Sequence, residues 1–442
     1  PKRVDMVQFR AFGRSLLCVV VLASPVWAQD DDRIWGRLYA TTGDVHEGFI
    51  RWDRNEGSWV DVLDGTKEIP SENYMVWLEA KGADGPPLRS IDLQGFRISW
   101  READPDFPPT TASEIRFGHL RSLRVMEDGG VELTLRSGEL VELDDRSRNL
   151  GGSNRGIVVD VPRRSEVDLD WDDLERIEFS AVPSGVRARA HRLYGTLEDV
   201  QGNRFTGYVS WDLDEIMESD VLDGEEREGG RNREIRFGEI TSIERIEITR
   251  RGGLARVVLV DGDELDLTGD RDVDRRNRGI QISDPGLGFV EVEWEEFRIL
   301  RFHEADEVVG YDAFDGGHPL VGTVVTQSGE EIDGLIRWDA DEESSWESLN
   351  GRADDVIFAI EFGMVSRITR GEVFGATVTM LDGRTFELDD SNDVNWDNKG
   401  ILITPEVPNS GGASDGSVWR LVTWDQFKEV RFRHDISVAS GR

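Results

Sequence analysis

An all-β protein built from three tandem homologous modules is what this 442-residue sequence predicts. Three observations carry that expectation. Short runs alternate apolar and polar residues, as in Thr377, Val378, Thr379 and Met380, which is the period-two signature of a half-buried strand. Gly-containing turns such as "SG" and "DG" punctuate the runs at short, even intervals, the spacing of a barrel or sandwich. Whole blocks of sequence also recur three times, and internal recurrence decides architecture before local propensity does. No long helical periodicity accompanies them.

The blocks follow in the same order each time. "GRLYATTGDVHEGFIRWDRNE" begins at Gly36, "GTLEDVQGNRFTGYVSWDLDE" at Gly195 and "GTVVTQSGEEIDGLIRWDADE" at Gly322. Each keeps a glycine, a second seven residues on, a third five beyond that, and then Trp-Asp. "DVLDG", "DVLDG" and "ESLNG" come next, followed by "EIRFGHLRSL", "EIRFGEITSI" and "AIEFGMVSRI". The third block is "VELTLRSGELVEL", "RVVLVDGDELDL" and "TVTMLDGRTFEL"; the last is "VDLDWDDLERIEF", "VEVEWEEFRILRF" and "WRLVTWDQFKEVRF". The modules therefore run over 33–180, 191–303 and 318–433. "AVPSGVRARA" and "HEADEVVGYDAFDGG" read as linkers, and module one carries an insertion over 71–113 without counterpart in its sisters. That insertion is either an ornament of loops and a hairpin or a site specific to module one.

Each module also reads as double. Strand, Gly turn, strand, "FGEI" and a last strand are followed by strand, "DG" turn, strand, polar loop, strand, "W-x-x-F" and a last strand. Two five-strand patterns of this kind suggest paired small barrels, similar in strand pattern alone to the SH3-like or Sm-like kind. One larger β-sandwich per module, or a propeller built from all three, are the alternatives.

Residues 1–28 read as a signal peptide, to be set aside before fold reasoning. Arg10 and Arg14 precede the apolar "LLCVVVLA", and Val26 and Ala28 place cleavage between Ala28 and Gln29. A lipid anchor on Cys18 is the alternative, with Leu17 standing where a small residue is needed. Cys18 is the one cysteine, so the remaining chain needs no disulfides, and its length suffices for a core without them. No later apolar run reaches the length of a transmembrane span. The expectation is a soluble exported protein, periplasmic or extracellular.

Charge excludes some partners. The formal net charge is −37, with 89 acidic residues and five lysines, Lys2, Lys67, Lys81, Lys399 and Lys428. Such a surface repels phosphate backbones, which argues against nucleic acid and anionic lipid. The acidity is either a salt-adapted, solvated surface or a sign of cation binding.

Residues kept in all three copies serve a shared fold or a shared function. Trp52, Trp211 and Trp338 are equivalent, as are Trp171, Trp294 and Trp424, and they are expected in the core. Asp53, Asp212 and Asp339 end a strand, with Glu56, Glu215 and Glu342 three residues on. These pairs cap a turn, act as acid and base, or bind a ligand or cation. Asp339 and Glu342 in module three are accordingly candidate ligand-binding residues. In "DSNDVNWDNKGI", residues 390–401, Asp393, Asn395 and Asp397 have the alternating spacing of a calcium loop. The glycine after the third ligand and the glutamate in the twelfth place are missing. The equivalents "NLGGSNRGI" and "DVDRRNRGI" share only the Asn-x-Gly of Asn154, Asn277 and Asn398. A polar turn accounts for what the copies share, leaving module three as the one candidate Ca2+ site.

Trp396, in the same loop, is a candidate for stacking on a sugar ring, or else packs across its barrel. His119 becomes Glu239 and Met364 in the sister modules and is expected at the surface. No spacing resembles a zinc site, a nucleophile elbow or a phosphate loop. The sequence thus points to binding or scaffolding at the cell envelope, with a glycan or an envelope protein as partner and no cofactor beyond that Ca2+. A carbohydrate-active hydrolase using a carboxylate pair is the alternative.

Overall fold

The computed structural model describes residues 31–69, 71–80, 89–93, 96–100, 109–145, 147, 149–249, 252–269, 271–404 and 419–434. The expected signal peptide, the lipid-anchor alternative at Cys18 and parts of the insertion lie outside these residues. The chain is all-β: the described residues form three sheets of eight, twelve and eight strands, two two-stranded ribbons and one α-helix, Ser71–Ala80. No helix among the described residues is long and apolar enough to cross a membrane.

The recurring glycines have a steric cause. In module two, Tyr194–Asp199 pairs with Arg204–Trp211, and Gly195 lies opposite Gly207; Gly36 faces Gly48 and Gly322 faces Gly334 in the same way. A Cβ on Gly48, Gly207 or Gly334 would come within 2.3, 2.4 and 2.2 Å of a carbonyl oxygen of the adjoining strand. The middle glycines, Gly43, Gly202 and Gly329, turn the hairpin at φ of 89°, 91° and 84°, with open space where a Cβ would go. Two glycines therefore permit close strand approach, and the one between them permits a left-handed turn.

The two halves that the sequence of each module suggests exchange strands. In module two the first hairpin, Tyr194–Asp199 with Arg204–Trp211, is flanked by Phe297–Phe302 and Ile280–Asp284 from the second half. The hairpin that opens the second half, Gly252–Leu259 with Glu264–Thr268, is flanked by Ile240–Thr249 and Val221–Glu226 from the first. Ile240–Thr249 and Phe297–Phe302 then pair with each other, fusing both sets into one sheet. The neighbouring strands are joined by short connections in modules one and three, where Val125 pairs with Val131 and Arg370 with Ala376. So short a closure costs far less chain entropy than returning to the module's first strand. Among the described residues no sheet closes on itself, which replaces a pair of closed barrels, one per half, with open sheet running through both halves. Sheets this wide are also unlike the four-stranded blades of a propeller.

The same pairings recur in the other modules. Gly36, Gly195 and Gly322 stand opposite Phe179, Phe302 and Phe432, each followed by the same register shift three to four residues on. Modules two and three also share a sheet, because Gly288–Val292 pairs with Val356–Glu361 along its whole length. One hydrophobic cluster runs through both modules, from Trp211 to Trp338. Module one keeps its own core around Trp52, to which Phe314 and Trp346 contribute from outside it.

The helix in the insertion is not foreseen by the sequence. Tyr74, Trp77 and Leu78 form its apolar stripe, too short to register as a period, and it packs against Leu402 of module three. Trp77 Nε1 donates to the carbonyl of Lys399 at 2.9 Å. His119, expected at the surface, is buried at the junction of the modules. Its Nδ1 accepts from the Gly316 amide at 3.1 Å, and its Nε2 lies 3.4 Å from Glu361 Oε1. Arg116 sits beside it, donating to the carbonyls of Asp284 and Pro285 and facing Glu361 at 3.2 Å. Burial pushes Glu361 up, but Arg116 and His119 together outweigh it and hold its carboxyl below the usual range.

The two kinds of repeated glycine should respond differently to alanine. Gly334→Ala meets a backbone carbonyl and should cost about 2–3 kcal/mol. Gly329→Ala meets only the left-handed penalty, about 1 kcal/mol. Urea denaturation of the two variants measures the difference, and equal losses would contradict the close-approach explanation.

Candidate functional site

The recurring Trp-Asp begins a tight turn. Asp53 and Arg54 both adopt left-handed angles (φ 44° and 64°), as do Asp212 with Leu213 and Asp339 with Ala340. Asn55, Asp214 and Asp341 donate back to the tryptophan carbonyls at 3.1, 3.2 and 3.0 Å. This is a type I′ turn, whose double left-handed requirement aspartate tolerates better than most residues. The turn returns the chain so that Glu56, Glu215 and Glu342 bridge to the tryptophans.

That turn grips the polar loop of the module's other half. Trp52, Trp211 and Trp338 donate Nε1 to the carbonyls of Asn149, Asp272 and Asp393 at 3.0, 2.9 and 2.9 Å. Asn154, Asn277 and Asn398 donate to the same three carbonyls and accept from the amides of Gly156, Gly279 and Gly400. Asparagine is kept for this two-sided amide bridge and not for left-handed angles, since Asn154 is extended (φ −64°) and the glycines carry the positive φ. The aspartates cap this loop as well: Asp53, Asp212 and Asp339 each accept from the amide of Arg155, Arg278 or Lys399. The same three side chains lie at 3.2, 2.8 and 3.2 Å from the second carboxylate oxygens.

The outcome is a group of oxygen donors in each module: Asp53, Glu56 and Asn149; Asp212, Glu215 and Asp272; Asp339, Glu342 and Asp393. In module two, one oxygen from each of the three carboxylates lies within 4.8 Å of the others. Asp272 and Asp393 also accept from the amides of Asp223 and Asn350, at 2.7 and 2.6 Å. Glu56, Glu215 and Glu342 each keep a buried Oε2 with no hydrogen-bond partner.

Crowding and burial hold these acids protonated well past their ordinary range. Burial, with Asp272, Asp214 and Asp212 adding to it, pushes Glu215 up to about 9. Burial takes Asp272 to about 6, against the opposing Asp223 amide, and Asp339 to about 7. Burial with like charges also holds Glu56, Glu342 and Asp393 well above their usual values.

The donor groups of modules one and three open on cavities between modules. One, of about 900 Å³, lies between modules one and two, with Asp53, Glu56, Asn149, Arg278 and Phe289 in its wall. The other, of about 350 Å³, lies between modules one and three and takes in Glu342, Asp393, Lys67 and Lys399. Glu114 lines both, and burial, with Asp64 adding to it, pushes its carboxyl up to about 8.

The structure regroups the residues singled out by sequence. Asp393 turns inward to join Asp339 and Glu342. Asn395 accepts from the Asp397 amide at 2.7 Å in a local turn, and Asp397 is exposed. The alternating spacing therefore does not gather its three side chains as a calcium loop does. Trp396 is 53% exposed and carries the Arg370 guanidinium 4.6 Å from its ring centre, so it is not packed across a barrel. Sequence reasoning missed the pairing of the Asp-x-x-Glu turn with Asn149, Asp272 and Asp393. The signal was present, because these three positions align, but nothing local says that the two segments meet.

The buried acids set a pH dependence. A carboxyl raised in the folded state keeps a proton that the unfolded chain releases. Its contribution to stability is complete below the unfolded value, near 4.3, and is lost as pH rises through the folded value. For Glu215 that window ends near pH 9. Glu215→Gln cannot ionise, so in metal-free buffer it should match the wild type near pH 5 and exceed its melting temperature increasingly toward pH 9. Parallel curves would show that Glu215 ionises freely.

Comparisons with protein-family models, with curated proteins and with solved structures find no match to this chain.

Proposed function

We propose that the chain is an exported, acidic β-repeat protein that acts by binding at the cell envelope, with a glycan held in the cleft between modules one and two. The observation that carries this reading is the cleft itself, about 900 Å³ and walled by Ser147, Asn149, Gln281, Arg155 and Phe289. Hydroxyl, amide and guanidinium groups beside one aromatic ring suit a ligand with many hydroxyls and apolar ring faces. The net charge of −37 favours neutral or amino sugars over sulfated ones. Tandem modules add avidity if several weak contacts act together.

A glycan array followed by calorimetry tests the reading. Gln281→Ala should weaken the best ligand about tenfold, the worth of a charge-free hydrogen bond or two, with little change in melting temperature. Absence of any glycan binding, or binding that Gln281→Ala leaves intact, would remove the cleft as the site.

Hydrolysis is the second reading, favoured by Glu114. A carboxyl pushed up to about 8 stays protonated at neutral pH, as the general acid of a glycosidase must. Release of reducing ends from a bound polysaccharide, abolished by Glu114→Gln, would replace binding with turnover as the function.

A further inference from the structure

We infer that Lys67 and Glu347 join in an intramolecular amide bond, which ties module one covalently to module three. This goes beyond glycan binding and does not depend on it. The repeat isolates the pair. At three equivalent positions a carboxylate fixed by two backbone amides meets a cation of another module: Asp61 with Arg192, Asp220 with Arg51, and Glu347 with Lys67. The two guanidiniums stay protonated and cannot attack a carboxyl carbon, whereas a lysine amine gives up its proton readily when buried. Only the third junction therefore pairs a carboxyl group with a nucleophile.

The geometry is that of a reaction about to occur. Lys67 lies in the strand Val62–Glu68, and Glu347 directly precedes the strand Ser348–Ala353. The Lys67 Nζ touches Glu347 Oε1, donates to the carbonyl of Asp341 at 3.2 Å and lies 5.7 Å from the Trp346 ring centre. The two side chains are 16% and 5% exposed, so water does not compete for the contact. An amine held against a carboxyl group in this way gains an effective molarity of about 10⁵ M or more. Glu347 Oε2 meanwhile accepts from the amides of Glu343 and Ser344 at 2.6 and 2.7 Å. These donors polarise the carboxyl carbon and hold the charge that develops on Oε2 when nitrogen adds, as an oxyanion hole does.

The step balances without a co-reactant. A proton passes from the Nζ ammonium to Oε1 along their contact, leaving an amine and a carboxylic acid. The nitrogen lone pair adds to the Glu347 Cδ, and the C=O electron pair moves onto Oε2. Nitrogen then gives a second proton to the Oε1 hydroxyl, the Cδ–Oε1 bond breaks and water departs, while the pair on Oε2 restores C=O. Two cavities of about 350 and 370 Å³, each lined by both residues, receive the water. Nitrogen keeps one hydrogen, so ammonium and carboxylate become an amide and water. The product is neutral, which removes the desolvation cost of a buried ion pair. One cysteine in 442 residues excludes an internal disulfide, and the amide supplies a covalent tie of another kind.

Mass spectrometry of the purified full chain, unfolded before measurement, tests the bond. The wild type should be lighter by one water than the sequence from its observed N-terminus. Trypsin should no longer cut after Lys67, and the digest should contain one branched peptide joining the segments around Lys67 and Glu347. Lys67→Arg keeps an ion pair of the kind found at the other two junctions and should show the full sequence mass. A wild type of full mass, with the Lys67 and Glu347 peptides separate, would overturn the inference. So would a loss of water that persists in Lys67→Arg, or one that maps to another pair such as Lys399 with Asp339. Should Lys67→Arg not fold, the presence or absence of the branched peptide in the wild type decides.

Discussion

The bond from a strand-end indole to the carbonyl of a distant polar loop is the constraint on which each module depends. Trp52, Trp211 and Trp338 are fully buried, so their N–H groups must find an acceptor inside the protein. They find it in the other half of the module, at Asn149, Asp272 and Asp393. Each ring also packs edge-on against the second recurring tryptophan, Trp171, Trp294 or Trp424. One side chain thereby joins the halves through both its apolar face and its polar edge. Because the halves exchange strands, neither has a complete sheet without the other, and the first half's indole has no acceptor without the second.

A carboxylate at the next landmark carries the same logic from half to module. Asp61 accepts from the amides of Gly57 and Ser58 at 2.8 Å and pairs with Arg192 of module two at 2.8 Å. Asp220 caps its own loop in the same way and pairs with Arg51 of module one. Glu347 does so in module three and pairs with Lys67. One end of each carboxylate is fixed by backbone amides, so little side-chain entropy is left to lose when the neighbouring module docks. The Arg192–Asp61 pair is almost wholly desolvated (0% and 5% side-chain exposure). Breaking such a pair leaves a buried charge, which disfavours other docking geometries more than it adds stability.

The candidate sites are by-products of this scaffold. The turn that exposes the indole to its acceptor also places an aspartate and a glutamate beside the polar loop, and the loop supplies a third oxygen. Capping consumes one aspartate oxygen and leaves the glutamate oxygen unsatisfied. Where modules meet, the same groups line cavities, so any ligand there touches residues that hold the modules together. Binding and inter-module stability are expected to be linked for that reason.

The sequence by itself determined the all-β class, the recurring landmarks and the buried tryptophans, because alternation, turn glycines and internal recurrence are local or self-referential signals. Gly36, Gly43 and Gly48 with their equivalents were legible as landmarks, although their two different steric roles were not. Only the tertiary structure decided which strands pair. Exchange between halves depends on short closures such as Val125–Val131 and Arg370–Ala376 winning over a longer return, and the seam of Gly288–Val292 with Val356–Glu361 joins segments far apart in the chain. The same holds for the site. Asp393 reads in sequence as a partner of Asn395 and Asp397, yet the Trp338 bond to its carbonyl and the Asn350 amide on its carboxylate hold it beside Asp339 and Glu342. Likewise His119 looks like a surface residue until Gly316 and Glu361 arrive from other segments to bury it. Spacing along a chain fixes which residues can be neighbours within one element. Packing between elements fixes which oxygens share a space, and that depends on contacts no local pattern records.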